Sequence, residues 1–123
     1  MLFGAVFALL SVALGAFGAH GLKNILTPAM LAVWHTAVQY QMFHALALLI
    51  IGLLARLAPG DKMLAWAARA MIVGVILFSG SLYALALTGV GKLGMITPLG
   101  GVAFLLGWAC LLASLWQYEP ARQ

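Results

Sequence analysis

Four stretches of this chain are long, apolar and almost free of charge, and that pattern leaves few folds open. They run from Met1 to Ala19, from Val38 to Ala58 with Arg56 near the end, from Met63 to Thr88 with Arg69 near the start, and from Pro98 to Tyr118. Crossing a hydrocarbon core of ~30 Å takes about 20 residues of helix. No stretch alternates polar with apolar residues, so a membrane barrel is excluded and helices must satisfy the backbone in lipid. Of the 123 residues, 66% are hydrophobic and 7% charged, whereas a soluble domain carries roughly a quarter charged residues. That is too little charge to cover a water-facing surface. The expected fold is a single all-α membrane domain over residues 1–123, with four transmembrane helices at about 1–19, 28–58, 63–88 and 98–118. A soluble enzyme, a disordered segment, a disulfide-stapled secreted module and a conventional nucleic-acid binder are excluded.

The helix boundaries have local causes. Thr27-Pro28 and Thr97-Pro98 each set a capping hydroxyl before a proline at the first helical position. A second helix from Pro28 to Ala58 would measure ~46 Å at 1.5 Å per residue. Its first turns, Ala29–Ala37, therefore lie in the headgroup region or in an extension of the bundle. Trp34 and Tyr40 then mark one interface, and Trp66, Trp116 and Tyr118 the other. Leu57–Lys62 reads as a tight polar turn.

The net charge of +4 does not imply a nucleic-acid partner, because the six basic residues are dispersed at segment ends. Arg56, Lys62, Arg69 and Arg122 fall on one side of the membrane, against Lys23 and Lys92 on the other. This bias places both termini in the cytoplasm of a bacterial inner membrane. The first segment lacks a basic leader and reads as an uncleaved helix rather than a signal peptide. Arg69 can snorkel to the headgroups, and the single Cys110 reads as a small packing residue.

Small residues form stripes at steps of three and four. The first segment carries Gly4, Ala8, Ser11, Gly15 and Gly18; the fourth carries Gly100, Ala103, Gly107, Cys110 and Ser114. The third shows Ala70, Gly74, Ser81, Ala84 and Thr88, broken only by Leu77, and the second a weaker series of Gln41, Ala45, Leu48, Gly52 and Ala55. In lipid, small residues let helix backbones approach closely. A 3.5-residue period keeps such stripes in register in a left-handed crossing. The expectation is an antiparallel left-handed bundle with its hydroxyls, Ser11, Ser81, Thr88 and Ser114, on the seams. One seam is available for self-association. At an offset of seventy residues, Gly21–Pro28 aligns with Gly91–Pro98, Gly4 with Gly74 and Ser11 with Ser81. The chain thus reads as two repeated hairpins.

Polar side chains gather at one depth. Gln41 and His44 fall roughly 6 and 10 Å below the outer boundary, and Tyr83 and Ser81 roughly 9 and 12 Å. Ionisable groups inside a membrane must pair or face water, and they are functional candidates. These four residues form the candidate intramembrane polar pocket. The simpler reading is that His44 ties helices together by bonding Gln41, Tyr83 or a backbone carbonyl. His20 and His35 read as interfacial. No catalytic, metal-binding or cofactor-binding set is expected: no carboxylate lies in a span, and the histidines form no paired set of haem ligands. Gly89-Val90-Gly91-Lys92-Leu93-Gly94 matches a dinucleotide fingerprint, but it follows a membrane helix rather than a strand and is a chance match.

Four motifs carry a family resemblance: Gly15–Lys23, Thr36–Ala47, Phe78–Tyr83 and Ile96–Gly101. The chain resembles the YgdD-like small bacterial inner-membrane proteins, a domain of unknown function, over nearly its whole length. His35 stands where that pattern implies an acidic or other polar residue. The resemblance implies a four-span inner-membrane protein and carries over no catalytic or ligand residues. The leading expectation is a non-enzymatic structural or accessory bundle that self-associates in the lipid bilayer. The alternatives are a small transporter or channel protomer with an outward-facing polar pocket, and a quinone- or haem-binding membrane subunit.

Overall fold

In a computed structural model describing residues 1–119, four helices account for nearly the whole chain. They are α1 (Leu2–His20), α2 (Pro28–Leu57), α3 (Lys62–Thr88) and α4 (Thr97–Tyr118), and no strand occurs among the described residues. Each is long and apolar enough to cross a membrane. Arg122, counted in the charge argument, lies outside the described residues.

Two helix starts follow from capping chemistry, and one departs from expectation. The Thr27 hydroxyl accepts from the Met30 amide at 3.2 Å, with Pro28 in the first turn of α2. Asp61 caps α3 by accepting the Met63 and Leu64 amides at 2.7 and 3.3 Å. Thr97 does not cap α4. Its hydroxyl is 2.6 Å from that of Ser81 on α3, a partner on another helix that replaces the local amide. The Gly91–Met95 segment is a 3₁₀ turn, as befits a connection between membrane helices. Gly89, with φ of 69°, ends α3 in the left-handed conformation.

The helices pack antiparallel and mainly as chain neighbours. α1 lies against α2, with Gly4 at Ala45, Phe7 at Gln41 and Gly18 at Trp34. α3 lies against α4, with Met71 at Gly107, Gly74 at Phe104 and Phe78 at Gly100. α2 and α3 join the two hairpins. Among the described residues, α1 and α4 share no packed face. The two hairpins pair in different registers: Gly4 meets Ala45, yet Gly74, seventy residues on, meets Phe104 rather than Leu115. Residues matched at that offset therefore do not hold equivalent packing positions.

Small residues mark the closest approaches. Gly4, Ser11, Gly18, Gly74, Ser81, Gly100, Gly107 and Ser114 are buried, and Gly15 is half-buried near Val38. A Cβ on Gly4 would sit 2.9 Å from the Ala45 carbonyl oxygen. Thr88 departs from the pattern. It is exposed, and its hydroxyl bonds the Ala84 carbonyl at 2.6 Å, which satisfies it within its own helix.

One turn of α3 is unusual. Val75–Ser79 is a π-helical segment, and its widened turn meets α4 at Gly100, where any Cβ would collide with the Phe78 backbone nitrogen. The same segment sends the Ser79 hydroxyl to the Ala37 carbonyl of α2 at 2.7 Å. Single π turns inside α-helices shift the side chains that follow them. Here the shift lets one turn touch both neighbouring helices.

Two apolar clusters result, with a polar layer between them. The cluster toward the α2–α3 turn holds Leu48, Ile51, Leu64, Met71, Phe104 and Leu111. The one toward the α1–α2 connection holds Leu22, Trp34 and Ala86, with Leu14, Leu31 and Tyr83 packed against it. Trp34, expected as an interface marker, is 2% exposed. Its indole donates to the Leu14 carbonyl at 2.9 Å and its ring lies over Gly18. The absence of a side chain at Gly18 leaves the space that draws it inward. The first turns of α2 thus extend the bundle.

At the end shared by the α2–α3 turn and the end of α4, Ser114 donates to the Asp61 carboxylate at 2.6 Å. That bond, followed by the Leu64 and Met63 amides, holds the Asp61 carboxyl below the usual carboxylate range. A carboxyl lowered on folding adds stability above its unfolded pKa of ~3.9 and loses it as the pH falls through the lower folded value. Unfolding in detergent, followed by circular dichroism between pH 2 and 6, should therefore show an acid limb. Asp61→Asn should flatten it, and Ser114→Ala should move it to higher pH. The π-turn crossing gives a second expectation. Gly100→Ala should cost about 1–3 kcal/mol through overpacking. Gly101→Ala, whose Cβ meets nothing within 4 Å, should unfold like the parent.

Candidate functional site

The four polar residues singled out from the sequence lie in the layer between the two apolar clusters, but they fall into three separate arrangements. Gln41 and Tyr83 meet: the phenol donates to Gln41 Oε1 at 2.7 Å. The other end of the same amide, Nε2, donates to the Phe7 carbonyl at 2.9 Å. One glutamine thus links α1, α2 and α3, and it is buried at 3% exposure. Ser81 is elsewhere, bonded to its own helix at the Phe78 carbonyl and to Thr97 of α4.

His44 faces α4. Its Nδ1 lies 2.6 Å from the Tyr40 carbonyl, and its Nε2 lies 3.2 Å from the Trp108 indole nitrogen. An indole N–H can only donate, so Nε2 accepts and Nδ1 carries the proton to the carbonyl. Both neighbours therefore select one neutral tautomer of the ring. The imidazole is stacked on Phe104, with centroids 3.5 Å apart and planes 12° from parallel. Tyr40 stacks on Phe78 at 4.5 Å with planes 27° apart, so rings from three helices form one column, in which Phe78 and Phe104 are tilted by 51°.

Gln41 also accounts for the one buried side-chain atom without a partner among the described residues, the Ser11 hydroxyl. A serine in a helix commonly bonds the carbonyl four residues back, which for Ser11 is that of Phe7. Gln41 already occupies that carbonyl from across the helix interface.

Beside the His44 column, a groove of about 850 Å³ opens sideways between α2 and α4, walled by Tyr40, Phe43, Phe104 and Trp108, with Gly101 in its lining. No group of three or more potential metal ligands occurs among the described residues. His20 and His35 are exposed near the end of the bundle that holds the α1–α2 connection, apart from His44.

Sequence reasoning missed Trp108, Phe104, Ser79 and Thr97 as members of the polar layer. Phe104 and Trp108 are aromatic residues four apart on one helix face, a spacing that could have paired them with Tyr40 and His44. Ser79 carried no such signal, because the π segment that aims it at α2 leaves no mark in the periodicity.

The relatives of this chain are named as membrane proteins and match it over nearly their whole length. It is 48% identical over 118 residues to UPF0382 membrane protein YwdK of Bacillus subtilis, covering 96% of each chain. It is 44% identical over 118 residues to UPF0382 membrane protein SH2409 of Staphylococcus haemolyticus, covering 96% of this chain and 95% of the relative. A Staphylococcus epidermidis UPF0382 membrane protein is 46% identical over 112 residues, covering 91% and 90%. No solved structure matches. None of these names assigns a catalytic activity. Residues 14–101 match the family described as "Protein of unknown function (DUF423)", a span that includes Gln41, His44, Ser81 and Tyr83 and stops short of Trp108. This chain is a multi-pass membrane protein and belongs to the DUF423 family.

Proposed function

We propose that this protein is a non-catalytic accessory bundle of the bacterial inner membrane, self-associating, with both termini cytoplasmic and closest in kind to the YgdD-like members of its family. One observation carries the reading: among the described residues, the buried polar side chains of the spans, Ser11 excepted, bond across to another helix or its cap. Gln41 joins three helices, and Ser79, Ser81 and Trp34 each join two. His44 is bonded at both nitrogens and stacked. A transport path needs polar groups that face one continuous channel. Gln41, His44, Ser81 and Tyr83 instead turn toward three different partners.

The charge bias supports the orientation. Arg56, Lys62 and Arg69 lie at the end of the fold holding the α2–α3 turn, and Lys23 and Lys92 lie at the other. Self-association fits the free face of α1, which packs on α2 and exposes Ala5, Val12, Ala16 and Ala19. Small residues at this spacing permit close helix approach.

Two measurements test the proposal together. Gln41→Leu should destabilise the protein by about 1–2 kcal/mol, because intramembrane hydrogen bonds contribute roughly 0.6 kcal/mol each and at most about 1.7. Vesicles holding the parent protein and a trapped pH dye should leak protons no faster than empty vesicles. A proton flux that His44→Phe abolishes in a folded protein would overturn the proposal. So would strict monomers in detergent and in nanodiscs, as far as self-association is concerned.

A further inference from the structure

We propose that the groove between α2 and α4 binds a neutral, ring-headed lipid of the quinone class, entering sideways from the bilayer. This goes beyond the accessory-bundle reading and does not depend on it. Size comes first. At about 850 Å³ the groove is of small-molecule scale. A helix with side chains is ~10 Å across, so two turns of a partner helix would displace roughly the whole volume and extend beyond it. A flat head with a flexible tail fits an opening of this kind better than a helix does.

Charge decides the head. The lining residues include no lysine, arginine, aspartate or glutamate, so a phosphate would enter without a cation to meet it. A neutral head meets no such cost. The polar groups present are those that serve carbonyl and hydroxyl partners. Gln39 and Tyr40 are among the lining residues, and neither side chain has a hydrogen-bond partner among the described residues. Both side chains can donate, and the carbonyls of a quinone accept from both. On the groove floor, His44 is bonded by Trp108, itself 46% exposed, at 3.2 Å. A rotation of that indole would leave Nε2 to accept from the hydroxyl of the reduced ring form.

Shape supports a planar head. The rings beside the groove lie near-parallel, Tyr40 and His44 at 17° and His44 and Phe104 at 12°, and they offer faces for offset stacking. Gly101 leaves open space on the opposite wall, since a Cβ there would meet nothing within 4 Å. The tail then runs between α2 and α4 into the acyl chains.

The full-length chain in neutral phosphatidylcholine nanodiscs can be titrated with a decyl-tailed benzoquinone while tryptophan fluorescence is followed. Saturable quenching is expected. Gly101→Leu, which adds bulk to the groove wall where a Cβ meets nothing within 4 Å, should weaken the apparent affinity by about tenfold or more with an unchanged melting curve. Tyr40→Phe keeps the ring and should weaken it several-fold, and Trp108→Phe should remove the saturable component. Quenching that rises linearly without saturation, or saturable quenching that Gly101→Leu and Tyr40→Phe leave unchanged, would overturn the proposal. Phospholipid retained by the detergent-purified protein and not displaced by the benzoquinone would overturn it as well.

Discussion

A polar side chain inside hydrocarbon has no water to fall back on, and that constraint organises the centre of this protein. Gln41 answers it by using both ends of its amide, one toward the Phe7 backbone and one toward the Tyr83 phenol. The cost of leaving either end unpaired in lipid is several kcal/mol, whereas each bond contributes far less to stability. The layer therefore acts chiefly on specificity: only one register of α1 and α3 against α2 pairs both ends of the Gln41 amide. Above and below it, the aliphatic clusters tolerate sliding more readily, since lipid tails are as apolar as leucine.

The second determinant is backbone proximity. Gly100 brings α4 onto the Phe78 backbone, within the π segment of α3. Gly74 receives the Phe104 ring one turn earlier. These two contacts set the depth of Phe104, and Phe104 in turn supplies the face on which His44 is stacked. The position of the imidazole thus depends on two residues with no side chain.

Much of this was legible in the sequence because lipid simplifies the reading. Charge-free runs gave the four spans, and the steps of three and four located Gly4, Gly74, Gly100 and Gly107 on buried faces. Partner choice was not legible. Gln41, His44, Ser81 and Tyr83 share a depth, but depth does not fix azimuth: His44 turns to α4 while Gln41 turns to α1 and α3. The π segment adds a rotation that no regular period anticipates, so Ser79 reaches α2 and Ser81 reaches Thr97. Trp34 was misplaced for a related reason. A tryptophan near a span end suits the headgroups in general, but a glycine on the facing helix offered it a buried seat.

The neighbour-to-neighbour arrangement of the helices has a consequence for biogenesis. Of the helices made before it, each packs chiefly on the immediately preceding one, α2 on α1, α3 on α2 and α4 on α3. Such local connectivity keeps the search for contacts short. A span leaving the translocon finds its docking surface already in the bilayer, and the Gln41 amide waits unpaired toward α3 only until the next segment is inserted. Assembly can then keep pace with synthesis, with α4 closing the aromatic column last.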